Sequence, residues 1–404
     1  MRYLIFIGIL FLVVKVNAQQ LQSYIEEAEK NNPDIKAALL NYNIAEEKIK
    51  EGNWLPNTQI SAGYFVSEPE TRTGAQRARF SISQMLPWFG TINARANYAS
   101  SMAEAEYINI IIAKRELALS VSKSYYELSA LKAKEAILDS NIQLLQTYER
   151  LALTSVEVGK ASAVDVLKLK IRQNEIQQQK EVLEQEYLAE EAAFNNFNYR
   201  DKTNPLEVFS NFDIPQEDPV FSSEGLSLNP ELTKYDKLFE SINQSELVNQ
   251  KEGLPMIGLG LDYVPVSERP EMNFSDNGKD IIMPMVSVTI PIFNNRYNSI
   301  TRQNDLRNKE IQAQKENRLN RLKTVLEQAV RNRNKARIQY NTQQKNLQQA
   351  KDAEEILVKN YETGTITFND VLDIQELQLK FEMSTIESVK MYYTQSAIIN
   401  YLIN

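Results

Sequence analysis

Cysteine and histidine are both absent from the sequence, and glycine and proline are scarce, with 12 and 13 among 404 residues. Without histidine the commonest general base is missing; without either residue, most zinc and haem sites and any thiol nucleophile are excluded. A net charge of −8 is the wrong sign for nucleic-acid binding, which leaves a basic footprint. After the first residues no run of 18 consecutive apolar residues occurs, so no membrane-spanning helix is expected in the mature chain. No cofactor and no metal site of defined geometry is expected either.

What is present begins with a secretory signal over residues 1–18. Arg2 gives a positive start, Leu4 to Val14 an apolar run, and Val16-Asn17-Ala18 small residues at a cleavage site before Gln19. The run is too short for a bilayer-spanning helix, which needs about 20 residues. No cysteine follows it to carry a lipid.

The rest of the chain is written twice. Asn32-Pro33-Asp34-Ile35 is echoed by Asn229-Pro230-Glu231-Leu232, and Leu55-Pro56 by Leu254-Pro255. Leu86-Pro87-Trp88-Phe89 is echoed by Ile290-Pro291-Ile292-Phe293, and Val158–Leu167 (VGKASAVDVL) by Thr363–Leu372 (TGTITFNDVL). Four echoes in one order divide the mature chain into repeats at 19–215 and 216–404. In each, a short amphipathic helix precedes two proline-bounded strands and a very long helical region.

No proline lies between Pro87 and Pro205 or after Pro291, and each of these stretches has one internal turn glycine, Gly159 or Gly364. Proline and glycine are the strongest helix breakers, so each stretch reads as a helical hairpin turning at its glycine. In the first repeat Leu117, Ser124, Leu131, Leu138, Leu145 and Ala152 recur every seven residues. Val121, Leu128, Glu135 and Ile142 follow four positions behind, completing an a/d seam for supercoiled packing. A helix from Thr91 to Val158 would measure roughly 100 Å, a length that suits a tube better than a globular domain.

The strands alternate. Ile60, Ala62, Tyr64 and Val66 oppose Gln59, Ser61 and Gly63; Ile257, Leu259, Leu261 and Tyr263 oppose Gly258, Gly260 and Asp262; Val286, Val288 and Ile290 oppose Ser287 and Thr289. Apolar-out, polar-in segments of about 9–11 residues are the pattern of an outer-membrane β-barrel. Ser67–Gln76 and Ser267–Asp280 are polar and read as outward-facing loops. Four strands cannot close a barrel, and open edges are not tolerated in lipid. Several chains must therefore pool strands, which makes the expected class an α+β membrane protein.

With these features the mature chain resembles the TolC-type outer membrane efflux family, with similarities to its heavy-metal branch in Met85–Gly90 (MLPWFG) and Gly278–Phe293. The G-x-x-x-x-x-D-V-L pattern occurs twice, at Gly159…Asp165-Val166-Leu167 and Gly364…Asp370-Val371-Leu372. The resemblance implies a homotrimeric duct in the outer membrane of a Gram-negative bacterium, with a twelve-stranded barrel, a periplasmic α-helical barrel, and no enzymatic activity. It implies an adaptor docked at the helix turns, carried over to Gly159, Lys160, Ser162, Gly364, Thr365 and Thr367. The pump beneath is expected to be of the resistance-nodulation-division type.

Asp370 and Asp373, three apart on one helix face, would form a ring of six carboxylates at the periplasmic entrance; Lys168 replaces the second acid in the first repeat. The competing role for Asp370 is a helix cap. Family gate positions map to Tyr361 and Asp165, but the family's arginine is replaced by Ile366, and the basic residues before each turn by Ser155 and Asn360. Met256, Met272, Met283 and Met285 offer soft thioethers for a metal cargo such as Cu(I) or Ag(I); packing on the barrel is the competing role. Drug or metal efflux and type I protein secretion stay open as uses of the duct. A secreted structural coiled coil would explain the heptads but not the duplicated strands, and a periplasmic adaptor would carry one hairpin, not two.

Overall fold

The computed structural model describes residues 19–159, 162–201, 206–208, 213–271, 273–363 and 365–403. The signal segment 1–18, Lys160, Gly364 and Met272 lie outside the described residues. Helix α1 covers 19–31 and helix α2 Pro33–Glu51. Strands β1 (Gln59–Tyr64), β2 (Glu70–Thr71), β3 (Gly74–Gln76) and β4 (Ala78–Leu86) lead into α3 (Thr91–Glu157) and α4 (Ala163–Asn198). The second repeat follows with a 3-10 turn at Ser223–Leu228 and α5 (Pro230–Glu252), then β5 (Met256–Val264), β6 (Val266–Ser267) and β7 (Ile281–Thr289). It closes with α6 (Arg296–Glu362) and α7 (Phe368–Ile403). The duplication is metrical: α3 and α6 both have 67 residues, α4 and α7 both 36.

The chain divides into two compact units that cut across the repeats, each taking equivalent segments from both. One comprises residues 1–37, 111–229 and 319–404; the other comprises 38–110 and 230–318.

In the first unit the heptad seam is buried as its spacing requires. Val121, Leu128, Leu138 and Ala152 are fully buried, and Leu117, Leu131 and Leu145 nearly so. Val121, Tyr125 and Leu128 of α3 pack with Ala28, Ile35 and Phe194, where Tyr24 meets the Phe194 ring edge-on at 5.2 Å. The far ends of the hairpins share one core: Leu145, Tyr148, Val166 and Leu169 from the first repeat with Tyr361, Phe368, Val371 and Leu379 from the second. A second stripe, unmarked by the sequence reading, runs along α6 through Leu326, Ala329, Arg333 and Ala336, all buried. Its arginine lies 5.5 Å from the Phe221 ring, a cation–π contact that lets a charged residue occupy a seam position.

The second unit holds a four-stranded antiparallel sheet in the order β1-β4-β5-β7. Pro56, Pro87, Pro255 and Pro291 flank its strands, where a missing N–H breaks no ladder, and Pro284 falls on an edge strand. The segments expected as plain loops form a small sheet, β2-β3-β6, that joins the two repeats. Gly74 makes it feasible. Its φ is +133°, and a Cβ there would fall 1.8 Å from the Ser267 carbonyl oxygen.

Candidate functional site

The register of the larger sheet sorts its residues into two faces. Ile60, Ile82, Leu261 and Pro284 lie in one row, Ala62, Phe80, Tyr263 and Ile282 in the next, and Gln84, Leu259 and Val286 in a third. This face is apolar and exposed: Ile60 is 79% exposed, Val286 73% and Ile282 67%. Gln84 is its polar exception. Its amide donates to the Pro56 carbonyl at 2.6 Å and its oxygen accepts from the Thr58 hydroxyl at 2.5 Å, so neither group is left unbonded.

The opposite face carries Gln59, Ser61, Ser81, Ser83, Gly258, Gly260 and Ser287, and a salt bridge between Arg79 and the buried Asp262. A sheet with one exposed oily face and one face of serine, glycine and a paired charge suits a wall between lipid and water. Among the described residues, both outer strands, β1 and β7, leave one edge without a partner in the protomer. Exposed aromatic residues mark both ends, with Tyr64, Phe80 and Tyr263 near the small sheet and Trp54 and Phe89 at the other. That placement matches the aromatic girdles of membrane barrels.

Met256, Met283 and Met285 project to the polar face together with Met85, which removes them from the apolar side. They do not converge on one point. Met256 and Met285 fall four register positions apart on the β5 scale, about 13 Å. Instead Met85 and Met285 roof the two β5 glycines: a Cβ on Gly258 would meet the Met85 sulfur at 2.7 Å, and one on Gly260 the Met285 methyl at 3.4 Å. The structure thus assigns these two thioethers a packing role. Among the described residues no group of three or more His, Cys, Asp or Glu is placed to hold a metal.

The turns at the far end of the hairpins carry the remaining candidates. Gly159 adopts φ +75° just past α3, with open space where a Cβ would sit, so backbone conformation alone selects glycine. Ser162 caps α4: its hydroxyl accepts from Val164 N at 3.2 Å, and Asp165 accepts from Ser162 N at 3.3 Å, a capping box. At the matching place in the second repeat the Thr367 hydroxyl donates to the Asp370 side chain at 3.0 Å. Asp370 therefore serves as a first-turn acid, and Asp373, one turn on, is exposed. Before α7, the Asn360 carbonyl accepts from Thr365 N at 3.0 Å and from the Thr363 and Thr365 hydroxyls.

Tyr361 and Asp165 are not hydrogen-bonded within the protomer. The Tyr361 ring meets Phe368 edge-on at 4.9 Å, and its hydroxyl is buried without a partner. Asp165 instead caps its own helix. Phe368 also meets the Tyr148 ring at 5.7 Å, giving an aromatic trio beneath the turns. Ile366, at the family's arginine position, packs against this core.

Sequence reading missed the polar hub just behind that trio. The Glu354 carboxylate accepts from the hydroxyl of Tyr148 and the amides of Gln375 and Gln378, the last at 2.7 Å. This joins α3 of the first repeat to α6 and α7 of the second. Its sequence signal was slight: two glutamines three apart on the apolar side of α7. Burial and the hydrogen bond to Glu354 push the Tyr148 hydroxyl above its ordinary range, so it remains a donor.

Comparison with known proteins bears on this arrangement directly. Residues 24–196 match the family described as outer membrane efflux protein. The CusC structure, described with transmembrane channel formation, superposes with a TM-score of 0.78 at 15% identity over 96% of this chain and 92% of that one. The outer membrane protein VceC of Vibrio cholerae gives 0.75 at 17% identity, over 95% and 96%. The MtrE outer membrane channel of Neisseria gonorrhoeae, in its open state, gives 0.74 at 15% identity, over 95% and 88%. At such identities the likeness establishes the fold. Among proteins of curated function none matches by sequence.

Proposed function

We propose, for a chain whose first repeat belongs to the outer membrane efflux protein family and whose fold is that of TolC-type channels, that it is one protomer of a passive homotrimeric exit duct. The carrying observation is the four-stranded sheet with one apolar face, one polar face and two open edges. Open edges have no place in lipid, where each unpaired backbone group costs several kcal/mol. Pairing β7 of one copy with β1 of the next removes every edge, and three copies make twelve strands.

The 67-residue helices, each about 100 Å long, continue the duct into the periplasm. Their turns dock a periplasmic adaptor through Gly159, Ser162, Thr365 and Thr367, with Lys160 and Gly364 in the same turns. An inner-membrane pump of the resistance-nodulation-division type supplies the energy, and small molecules or metal ions are the cargo. At the entrance the exposed Asp370 and Asp373 of three copies form a ring of carboxylates that favours cations. The hydrogen bond from Thr367 orients Asp370 without removing its charge.

Single-channel recording of the purified trimer in planar bilayers tests this reading. Discrete conductance steps with a preference for cations support a duct with an acidic entrance. Folded, trimeric protein that passes no current would rule the duct out.

A further inference from the structure

The first repeat places a lysine where the second has Asp373, and the structure shows where that lysine goes. Val166 and Leu169 of α4 are buried in the same core as Phe368 and Val371 of α7. The residues between them on each helix therefore emerge side by side. Lys168 is exposed, and its ammonium donates to the Asn369 side-chain oxygen at 2.8 Å. Asn369 adjoins Asp370, and Asp373 lies one helical turn further on. The two repeats thus meet at the tip through a lysine held on the shoulder of the acidic pair.

We infer that Lys168 is a specificity-determining residue of the periplasmic entrance, setting one fixed cation beside each Asp370–Asp373 pair. The inference rests on the proposed entrance ring. In a trimer it places three ammonium groups among six carboxylates, so the ring keeps its acidic sign at half its formal strength. Lys168 is bonded to the residue next to Asp370, so its charge acts on the same stretch of the entrance as the acids, and salt weakens both alike over the ~8 Å Debye length. The bond to Asn369 matters because a free lysine would swing away from the acids into solvent. Held in place, it moderates cation preference, so that bulky or anionic solutes meet a weaker barrier than six unopposed carboxylates would present. Asp165 of this repeat is half-buried, with its carboxylate bonded back to Ser162 N, whereas Asp370 and Asp373 are exposed.

The test is reversal-potential measurement on full-length trimers in planar bilayers under a KCl gradient. Lys168→Gln should raise the cation-to-anion permeability ratio about twofold, the effect expected for one unit charge about 10 Å away in water. Lys168→Arg should leave the ratio near wild type, and Asn369→Ala should move it part of the way toward Lys168→Gln. An unchanged ratio in Lys168→Gln, with collapse in Asp370→Asn/Asp373→Asn, would overturn the role of Lys168 while leaving the acidic ring intact. An unchanged ratio in the aspartate variant as well would overturn the entrance reading and the lysine's role with it. Lys168 is exposed and outside the packed core, so its variants assemble, which trimer migration on gels verifies in each case.

Discussion

Asn32 donates its side-chain amide to the Phe197 carbonyl oxygen at 2.9 Å, tying the first turn of α2 to the last turn of α4. Asn229 does the same to Leu402, in the last turn of α7, at 3.0 Å. In the first repeat the asparagine oxygen also accepts from Asp34 N at 2.8 Å, which makes Asn32 the cap of α2, with Pro33 at the first helical position. The repeated Asn-Pro-acid motif is therefore a clamp, made twice, between the start and end of each repeat. Removing either amide leaves a helix-end carbonyl unpaired in a buried setting, at a cost of roughly 1–3 kcal/mol. Asn32→Ala and Asn229→Ala should each lower the thermal midpoint of the detergent-solubilised protein, and the double variant should lower it further. An unchanged midpoint in both would show that the clamp is dispensable.

Gly159 offers a purely conformational test. No atom stands within 4 Å of a Cβ built on it, yet its φ is +75°. Gly159→Ala should therefore destabilise by about 1–2 kcal/mol through backbone strain alone. Gly159→Asn should cost less, because asparagine tolerates the left-handed region. Chemical denaturation of the two variants checks the order.

The sheet faces predict opposite responses to charge. Val286 lies on the apolar face and Ser287 on the polar one, one residue along the same strand. Val286→Lys should cost about 2–4 kcal/mol if it meets the bilayer midplane, and should reduce trimer yield in outer-membrane fractions. Ser287→Lys should assemble and shift ion selectivity. Equal tolerance at both positions would contradict the assignment of faces.

Acid should loosen the helical unit around Asp218. Burial disfavours ionised Asp218, but hydrogen bonds from Arg337 and Tyr392 and the charge of Arg333 outweigh it and hold the carboxyl below its ordinary value. Arg337 donates to Asp218 at 2.5 and 3.0 Å and Tyr392 at 2.8 Å. A depressed folded-state value means the stabilisation is complete above the unfolded aspartate range, near pH ~4. It is lost as pH falls through the folded value. Thermal midpoints measured from pH 6 down to 3 should drop, and the drop should be shallower in Asp218→Asn.

Much of this architecture was legible because its signals are local. Proline and glycine spacing placed α3 within one residue at its C-terminus, and period-two alternation gave the faces of β1, β5 and β7. The duplication gave the second hairpin from the first. The small sheet was hidden because β2, β3 and β6 are two or three residues each, and β6 reaches β3 from about 190 residues away. The α6 stripe was hidden because Arg333 and Asn304 occupy buried positions that composition reads as surface. At the tip, spacing put Asp370 and Asp373 on one face, but only tertiary packing reveals that Lys168 of the other repeat stands beside them. The methionines show a limit of another kind: sequence proximity suggested a cluster, while strand register spreads them along the sheet.

Pairing of β7 of one copy with β1 of the next is open to a background-free test, because the sequence has no cysteine. Cysteines introduced singly along β1 and β7, combined in pairs and oxidised in outer membranes, should yield disulfide-linked dimers and trimers at one register of pairs and none at the others. Products confined to single chains at every register would contradict a barrel shared among copies.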